Sequence, residues 1–172
     1  MSGAERAGAA PAGSGLRSVF MQALKICEGV YWVGAIDWNL RNFHGYETEK
    51  GSTYNAYLIL DEKVTLIDTV KEGFGDEMLE RIRSVIDPAK IDVIVSNHAE
   101  PDHSGCLPLM KAIAPQAAVY AAAGAGIKDL SAYYGDLGYT GVKAGESLCI
   151  GKRTLSFVPT PMVHWPDNMV TF

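Results

Sequence analysis

The sequence predicts a layered α/β domain, because strand-like and helix-like segments alternate along most of its 172 residues. Two neighbouring segments, 53–60 and 63–68, show the pattern of a β-hairpin. Residues 74–86 place their apolar side chains on one helical face. Residues 91–95 form a continuous apolar run, which is typical of a strand buried on both faces of a sheet. These observations together predict a sheet covered by helices.

The remaining segments extend this pattern in both directions. The polar stretch 37–51 is predicted to be a loop, and Asp87-Pro88 should end the helix at 74–86, because the residue before proline avoids helical geometry. Ser104 is a candidate cap for the next helix. Further strands are predicted at 23–26, 30–33, 117–121, 141–143, 147–150, 154–158 and 169–172, and further helices at 104–114 and 126–134. Nothing closes the last strand, so we expect the chain to end inside a larger domain.

The composition is that of a globular protein, with 48% hydrophobic and 20% charged residues and a formal net charge of -5. The two signs are mixed and no Lys/Arg block occurs, which argues against a nucleic acid or an anionic membrane as partner. No apolar run is long enough to span a membrane. Residues 1–18 are rich in small residues and lack the hydrophobic segment of a secretory signal. We expect a disordered tail at 1–18 and an ordered domain at 19–172.

The three cysteines, Cys27, Cys106 and Cys149, are widely spaced and form no CxxC pair. This argues against a disulfide framework or a zinc ribbon. We predict small buried thiols in a reducing environment. A cytoplasmic location is therefore expected.

The most informative segment is the hexapeptide HAEPDH at 98–103, directly after the apolar run. It contains four potential metal ligands: His98, Glu100, Asp102 and His103. Carboxylate and imidazole together suit iron or manganese as well as zinc. The alternative is a polar loop that only caps the following helix. That alternative would bury several unpaired charges, which is costly.

The spacing predicts how the four groups divide. Pro101 is expected to prevent a regular helix through the middle of the hexapeptide. In an extended or turning segment alternate side chains point the same way, so His98 and Glu100 are predicted to bind one ion. Asp102 and His103 would then turn toward a second. Two ions about 4 Å apart are able to bind a small substrate from both sides.

These residues carry a family resemblance. The decapeptide SNHAEPDHSG at 96–105 closely resembles the metal loop of the flavodiiron proteins, or A-type flavoproteins. Three other stretches agree with that family: RNFHGYET at 41–48, GSTYNAY at 51–57 and TPMVHWPD at 160–167. The resemblance extends over roughly 24–172. It implies a metallo-β-lactamase-like αββα sandwich, of which this chain would be the incomplete N-terminal part.

The resemblance also implies a ligand set. It places His98, Glu100 and His164 on one iron, and Asp102 and His103 on the other. The bridging aspartate and last histidine of the family lie beyond residue 172, as does the flavodoxin-like domain that binds FMN. Asp167 matches a family position beside His164 rather than the bridging one and is left unassigned.

Several residues near these motifs receive weaker assignments. Asp68 is a candidate to accept a hydrogen bond from a ligating histidine, or it is simply a turn or cap residue. His44 is a candidate substrate-pocket or alternative metal group, or a plain surface histidine. Four aromatic residues are candidates for the wall of a dry pocket, although such residues are more often core or interface. They are Trp38, Tyr46, Tyr54 and Trp165.

The family resemblance implies an oxidoreductase in which FMN feeds a di-iron centre that reduces O2 to water or NO to N2O. It implies a rubredoxin, another flavoprotein or a reduced deazaflavin as electron donor, and a head-to-tail homodimer. One alternative is a zinc hydrolase of the metallo-β-lactamase fold, in which a histidine stands at the position of Glu100. Another is a non-catalytic fragment or degenerate copy. With part of the ligand set missing, we expect the isolated chain to bind metal poorly and to be inactive alone.

Overall fold

A computed structural model describes residues 21–172. The expected tail at 1–18 lies outside the described residues. The strands, in chain order, are β1 (Leu24–Cys27), β2 (Val30–Trp32), β3 (Ala35–Asp37), β4 (Asn42–Phe43), β5 (Tyr46–Glu47), β6 (Ser52–Tyr54), β7 (Tyr57–Ile59), β8 (Thr65–Ile67), β9 (Val93–Ser96), β10 (Ala118–Ala122), β11 (Tyr139–Val142), β12 (Ser147–Cys149), β13 (Thr154–Pro159) and β14 (Met169–Thr171). The helices are α1 (Gly75–Arg83), α2 (Pro101–Ser104), α3 (Leu107–Ile113) and α4 (Ala125–Tyr134), with a 3-10 turn at Pro88–Lys90.

The main sheet has seven strands in the order β1-β2-β7-β8-β9-β10-β11. Its first four strands are antiparallel neighbours, and β8 to β11 run parallel. All four residues of β9 are buried, as the apolar run predicts. The carboxyl end of β9 therefore lies in the middle of the sheet, where the hexapeptide begins.

Side-chain alternation along the strands divides the core into two layers. Ile94 and its equivalents on other strands face α1, α3 and α4 in the larger apolar cluster. Val93 and Val95 face the other way, toward Leu155 and Phe157 of a second sheet with the order β12-β13-β14. Residues 21–172 thus form a helical layer, a first sheet and a second sheet, which agrees with the predicted α/β class.

The predicted strand at 53–60 is divided in the structure. Its first part, β6, pairs with β3, whereas β7 pairs with β2 and β8 in the main sheet. Gly34 permits this change of sheet, because a Cβ there would meet the carbonyl oxygen of Tyr54 and the ring of Trp32.

The predicted loop at 37–51 contains the small hairpin formed by β4 and β5. Its two turn residues, His44 and Gly45, have φ values of 52° and 82°. Positive φ at both central residues is the signature of a type I′ turn. Histidine tolerates this conformation better than most residues do, and its ring packs edge-to-face on that of Phe43, with 4.1 Å between centroids.

The predicted helix at 104–114 is interrupted, and the prediction that Ser104 caps it is wrong. Ser104 ends α2, and α3 begins at Leu107. Between the two helices the Cys106 amide donates to the Val70 carbonyl at 2.9 Å instead of continuing a helix. A tertiary hydrogen bond, which local sequence does not reveal, makes the break.

Two smaller differences concern a helix end and the cysteines. Helix α1 ends at Arg83, three residues before the predicted end, and Asp87 caps the following 3-10 turn through the Ala89 amide. Cys106 is buried as predicted, and burial raises the pKa of its thiol to about 11. Cys27 and Cys149 are exposed, so the prediction of burial is wrong for them; both lie on outlying strands with little to cover them.

Among residues 21–172, no helix is long and apolar enough to cross a membrane.

Candidate metal centre

The hexapeptide combines an extended segment with a helical turn. Glu100 is extended, with φ −59° and ψ 139°, and Pro101 opens helix α2 at its first position. No helix runs through the middle of the hexapeptide, as expected, but Pro101 begins a helix after it, since proline needs no hydrogen-bond donor at that position. His98 and Glu100 precede the turn, while Asp102 and His103 lie on it. His98 lies beside Glu100, and Asp102 lies beside His103, while the division of these residues between two ions stays a prediction.

Glu100 is the centre of a converging group of imidazoles. Its Oε2 lies 3.1 Å from Nε2 of His98 and 3.1 Å from Nε2 of His164, and its Oε1 lies 2.9 Å from Nε2 of His44. His98 and Glu100 are buried, at 4% and 9% exposure. We call these four residues, His44, His98, Glu100 and His164, the Glu100 group.

Three separate segments deliver the members of this group. His98 and Glu100 follow β9, His164 lies in the turn-rich connection between β13 and β14, and His44 comes from the β4–β5 hairpin. The ligand atoms of His44, Glu100 and His164 all lie within 4.8 Å of one another. The structure therefore brings together residues separated by more than one hundred positions.

The second pair is built differently. Asp102 Oδ2 lies 3.5 Å from His103 Nε2, and His103 Nδ1 lies 3.5 Å from Asp68 Oδ2. Asp68 is fixed from the other side, because its Oδ1 accepts the Asn97 amide at 2.6 Å. We call Asp68, Asp102 and His103 the Asp102 group. Within residues 21–172, Asp102 Oδ1 and His103 Nδ1 are buried atoms without a hydrogen-bond partner.

The two groups adjoin, since the rings of His98 and His103 are 5.5 Å apart. Their donors are carboxylate oxygens and imidazole nitrogens, which suit iron, manganese or zinc. Three imidazole nitrogens facing one carboxylate, together with a buried carboxylate oxygen that lacks a donor, fit a centre that holds metal ions. The assignment of each residue as a ligand stays a prediction.

The pKa values of the two carboxylates, Glu100 and Asp102, shift in opposite directions. Burial alone would raise the pKa of Glu100, but hydrogen bonds from His164 and His98 outweigh it and hold that pKa below its usual value. Burial raises the pKa of Asp102, and the nearby charge of Glu100 adds to the effect. Burial lowers the pKa of His103, but the Asp68 carboxylate more than compensates and the net shift is upward.

Sequence reasoning left one central residue unassigned. Asp167 is 1% exposed. Its Oδ2 lies 2.9 Å from Nδ1 of His98 and accepts a hydrogen bond from the Ala99 amide at 2.6 Å. The available signal was a carboxylate three positions after His164 in the HWPD segment. Asn97 was also missed; its side chain links Asp68 to Thr171 Oγ1.

The predicted aromatic wall is largely wrong. Trp38 and Tyr46 are 65% and 77% exposed, because they lie on the outer side of the β4–β5 region. Tyr54 is a core residue that packs against Phe74. Trp165 alone of the four packs on the centre, with its ring 5.0 Å from that of His98.

Comparison with known proteins places this fold and centre in a family. The chain is 50% identical over 154 residues to the rubredoxin-oxygen oxidoreductase of Megalodesulfovibrio gigas, covering 88% of this chain and 38% of that protein. It is 46% identical over 155 residues to the nitric oxide reductase of Moorella thermoacetica, covering 88% of this chain and 39% of that protein. The crystal structure of the flavodiiron protein from Giardia intestinalis superposes with a TM-score of 0.84 at 40% identity, covering 91% of this chain and 38% of that one.

The fold and the centre define a metallo-β-lactamase-like domain of the flavodiiron type, and both the predicted fold class and the predicted resemblance are confirmed. A family model described as "ODP family beta lactamase" matches residues 53–172, and the chain belongs to this family. The chain spans about two fifths of the length of the relatives described above.

Proposed function

We propose that this chain forms the metal-binding part of a flavodiiron oxidoreductase. In this proposal a non-haem di-iron centre, supplied with electrons by FMN, reduces O2 to water or NO to N2O. The observation that carries the proposal is Glu100, a buried carboxylate faced by three imidazole nitrogens at 2.9 to 3.1 Å. The names of two relatives, a rubredoxin-oxygen oxidoreductase and a nitric oxide reductase, support the same chemistry.

The described residues divide the work of holding the irons. His98, Glu100 and His164 would hold one ion, and Asp102 and His103 the other. When bound, the irons supply the redox chemistry that an amino-acid side chain lacks, with electrons from the flavin. The low pKa of Glu100 keeps its carboxylate ionised at neutral pH and ready to bind a cation.

The surrounding residues shape the access to the centre. Trp165 packs edge-to-face against the ring of His98, which is 4% exposed. The His44 side chain is 43% exposed, against 5% for that of His98, and it reaches Glu100 from solvent, with its Nε2 2.9 Å from Oε1. We therefore propose that His44 is a substrate-pocket residue rather than an ordinary surface histidine.

The remaining parts of the proposal follow from the family resemblance. We propose an FMN carried by a flavodoxin-like domain, a head-to-tail homodimer and a cytoplasmic location. A rubredoxin is the first electron donor to test, because one relative is named a rubredoxin-oxygen oxidoreductase. Another flavoprotein and a reduced deazaflavin are the other donors to compare.

The test is metal and flavin analysis of the complete gene product, followed by O2 and NO consumption with each donor. We expect iron at two ions and FMN at one per chain, with donor-driven consumption of at least one gas. Glu100→His introduces the histidine that the hydrolases carry at this position. This variant should lose that activity and bind zinc in place of iron. Glu62→His, an exposed change far from the centre, is the matched control. Stoichiometric zinc, no flavin and hydrolysis of an ester or lactam by the unmodified protein would refute the proposal.

A further inference from the structure

Asp167 is a buried carboxylate whose contacts converge on one candidate ligand. Its Oδ1 and Oδ2 lie 3.1 and 2.9 Å from Nδ1 of His98, and Oδ2 also accepts the Ala99 amide at 2.6 Å. The side chain is completely buried. A carboxylate in such a position needs donors to offset its desolvation, and both of its donors come from the hexapeptide.

These contacts determine which nitrogen of His98 is free. An ionised carboxylate only accepts hydrogen bonds, so Nδ1 of His98 must carry the proton that faces it. When an ion takes the place of the proton between Nε2 and Glu100, Nε2 is the nitrogen that would bind it, because Nδ1 keeps its proton toward Asp167. A ligating histidine commonly has a carboxylate or carbonyl behind it for this reason.

The same carboxylate joins two segments of the chain. Asp167 lies three residues after His164, in the connection between β13 and β14, whereas its donors lie directly after β9. The Asp167 contacts hold these segments together, and Met169 adds a backbone bond to Asn97 at 2.9 Å. His98 and His164 therefore depend on one another for their positions around Glu100.

We infer that Asp167 is a positioning residue: it fixes the Nδ1-protonated form of His98 and clamps the His164 segment to the hexapeptide. This inference rests on the metal centre in the proposed function, but it does not depend on which metal is bound or on the reaction catalysed. It predicts that Asp167 affects metal affinity through His98 without binding the ion itself.

Zn²⁺ affinity of the complete gene product, measured by competition with a chelator, tests the inference. Asp167→Asn preserves the size of the side chain and an oxygen for the Ala99 amide, but it removes the charge that faces His98. We expect Zn²⁺ to bind ten- to a hundredfold more weakly. Asp61→Asn is the matched control, because the Asp61 side chain is 2% exposed and accepts backbone amides but pairs with Arg153 instead of a candidate ligand. The control should bind Zn²⁺ as the unmodified chain does.

A second measurement separates positioning from general folding. Long-range ¹H–¹⁵N correlation spectra of the zinc-loaded, unmodified chain should show His98 protonated at Nδ1, and this readout needs no variant to fold. Ligation through Nδ1 would overturn the inference, as would a folded Asp167→Asn variant whose Zn²⁺ affinity lies within twofold of the unmodified chain. If Zn²⁺ affinity falls as expected but the complete gene product consumes neither O2 nor NO, only the proposed function is refuted.

Discussion

The two halves of the candidate centre differ in how they are assembled. In the Glu100 group, imidazoles from three distant segments lie 2.9 to 3.1 Å from one carboxylate, and Asp167 supports His98 from behind. In the Asp102 group, the ligand candidates are neighbours on a single helical turn, with 3.5 Å between partners and two buried atoms unpaired within the described residues. In the first half tertiary contacts hold the candidate ligand atoms within hydrogen-bond distance of one another, whereas in the second half the candidate ligands share the short helix α2 and their side chains make looser contacts. We therefore expect the Glu100 group to bind the first ion.

Removing the charge of Glu100 should have the largest effect. Glu100→Gln keeps the shape of the side chain but removes the anion that faces three imidazoles. We expect the affinity for the first ion to fall by more than about a hundredfold, since a ligand matters more than the groups that support it. Titration with Fe²⁺ under anaerobic conditions measures this, with Glu62→Gln as control. Unchanged binding of the first ion would show that Glu100 is not the organising group.

Asp102→Asn should affect the other half alone. Asp102 contacts His103 but none of the imidazoles around Glu100. We expect the variant to lose the second ion, with an affinity about tenfold or more below that of the unmodified chain, and to keep the first. Metal analysis at increasing Fe²⁺ concentration resolves the two events. If both ions are lost together, the two halves form one cooperative unit and the comparison fails.

Ser104→Ala should destabilise the fold that supports both groups, and we expect its effect to be smaller than those of Glu100→Gln and Asp102→Asn. The Ser104 hydroxyl is fully buried, donates to the Ala99 carbonyl at 2.6 Å and lies 2.9 Å from the Tyr134 hydroxyl. Losing it should cost about 1–3 kcal/mol in the free energy of unfolding, because buried partners are left unsatisfied. Urea denaturation measures the cost. Tyr134→Phe removes only the contact between the Ser104 and Tyr134 hydroxyls, so it should lower the free energy of unfolding by less. A larger decrease for Tyr134→Phe would show that the hydrogen bond to the Ala99 carbonyl is not the more important of the two.

Tyr54→Phe tests the support of the segment that carries His44 and should have the smallest effect. The Tyr54 hydroxyl donates to Asp37 Oδ2 at 2.8 Å, and Asp37 caps the start of that segment through the Asn39 and Leu40 amides. Losing the hydrogen bond should cost about 1 kcal/mol at neutral pH. His44 should shift, while the affinity for the first ion changes little.

The same pair gives a pH dependence with a defined sign. Burial opposes ionisation of Asp37, but the Tyr54 hydroxyl and the backbone amides outweigh it and hold its pKa below the ordinary value of 3.8. A lowered carboxyl pKa stabilises the fold above the unfolded-state pKa, and this stabilisation is lost as the pH falls through the folded-state pKa. The difference between Tyr54→Phe and the unmodified chain should therefore be constant at neutral pH and shrink below about pH 4. Denaturant titrations at several pH values check it; a difference that grows in acid would contradict the assignment.

Much of the fold was predictable because the signals are local. The buried run of β9, the amphipathic face of α1 and the β7–β8 hairpin each reflect a side-chain period that a short window of sequence contains. The predictions failed where distant contacts override those periods. The strand predicted at 53–60 is two strands that belong to different sheets. The helix predicted at 104–114 is interrupted where the Cys106 amide bonds to the Val70 carbonyl.

The candidate centre was likewise predictable where it depends on neighbouring residues and unpredictable where it depends on contacts between distant segments. The types of candidate ligand were predictable from residues close together in the sequence: the order of histidine and carboxylate in HAEPDH, and the glutamate at position 100 that favours iron over the zinc-binding pattern. Contacts between distant segments bring His44 and His164 together at Glu100 and place Asp167 against Nδ1 of His98, and no short window of sequence contains them. The reason is physical: ligand identity is a property of individual side chains, whereas the position of a ligand depends on how the segments after β9 and β13 and the β4–β5 hairpin pack against one another.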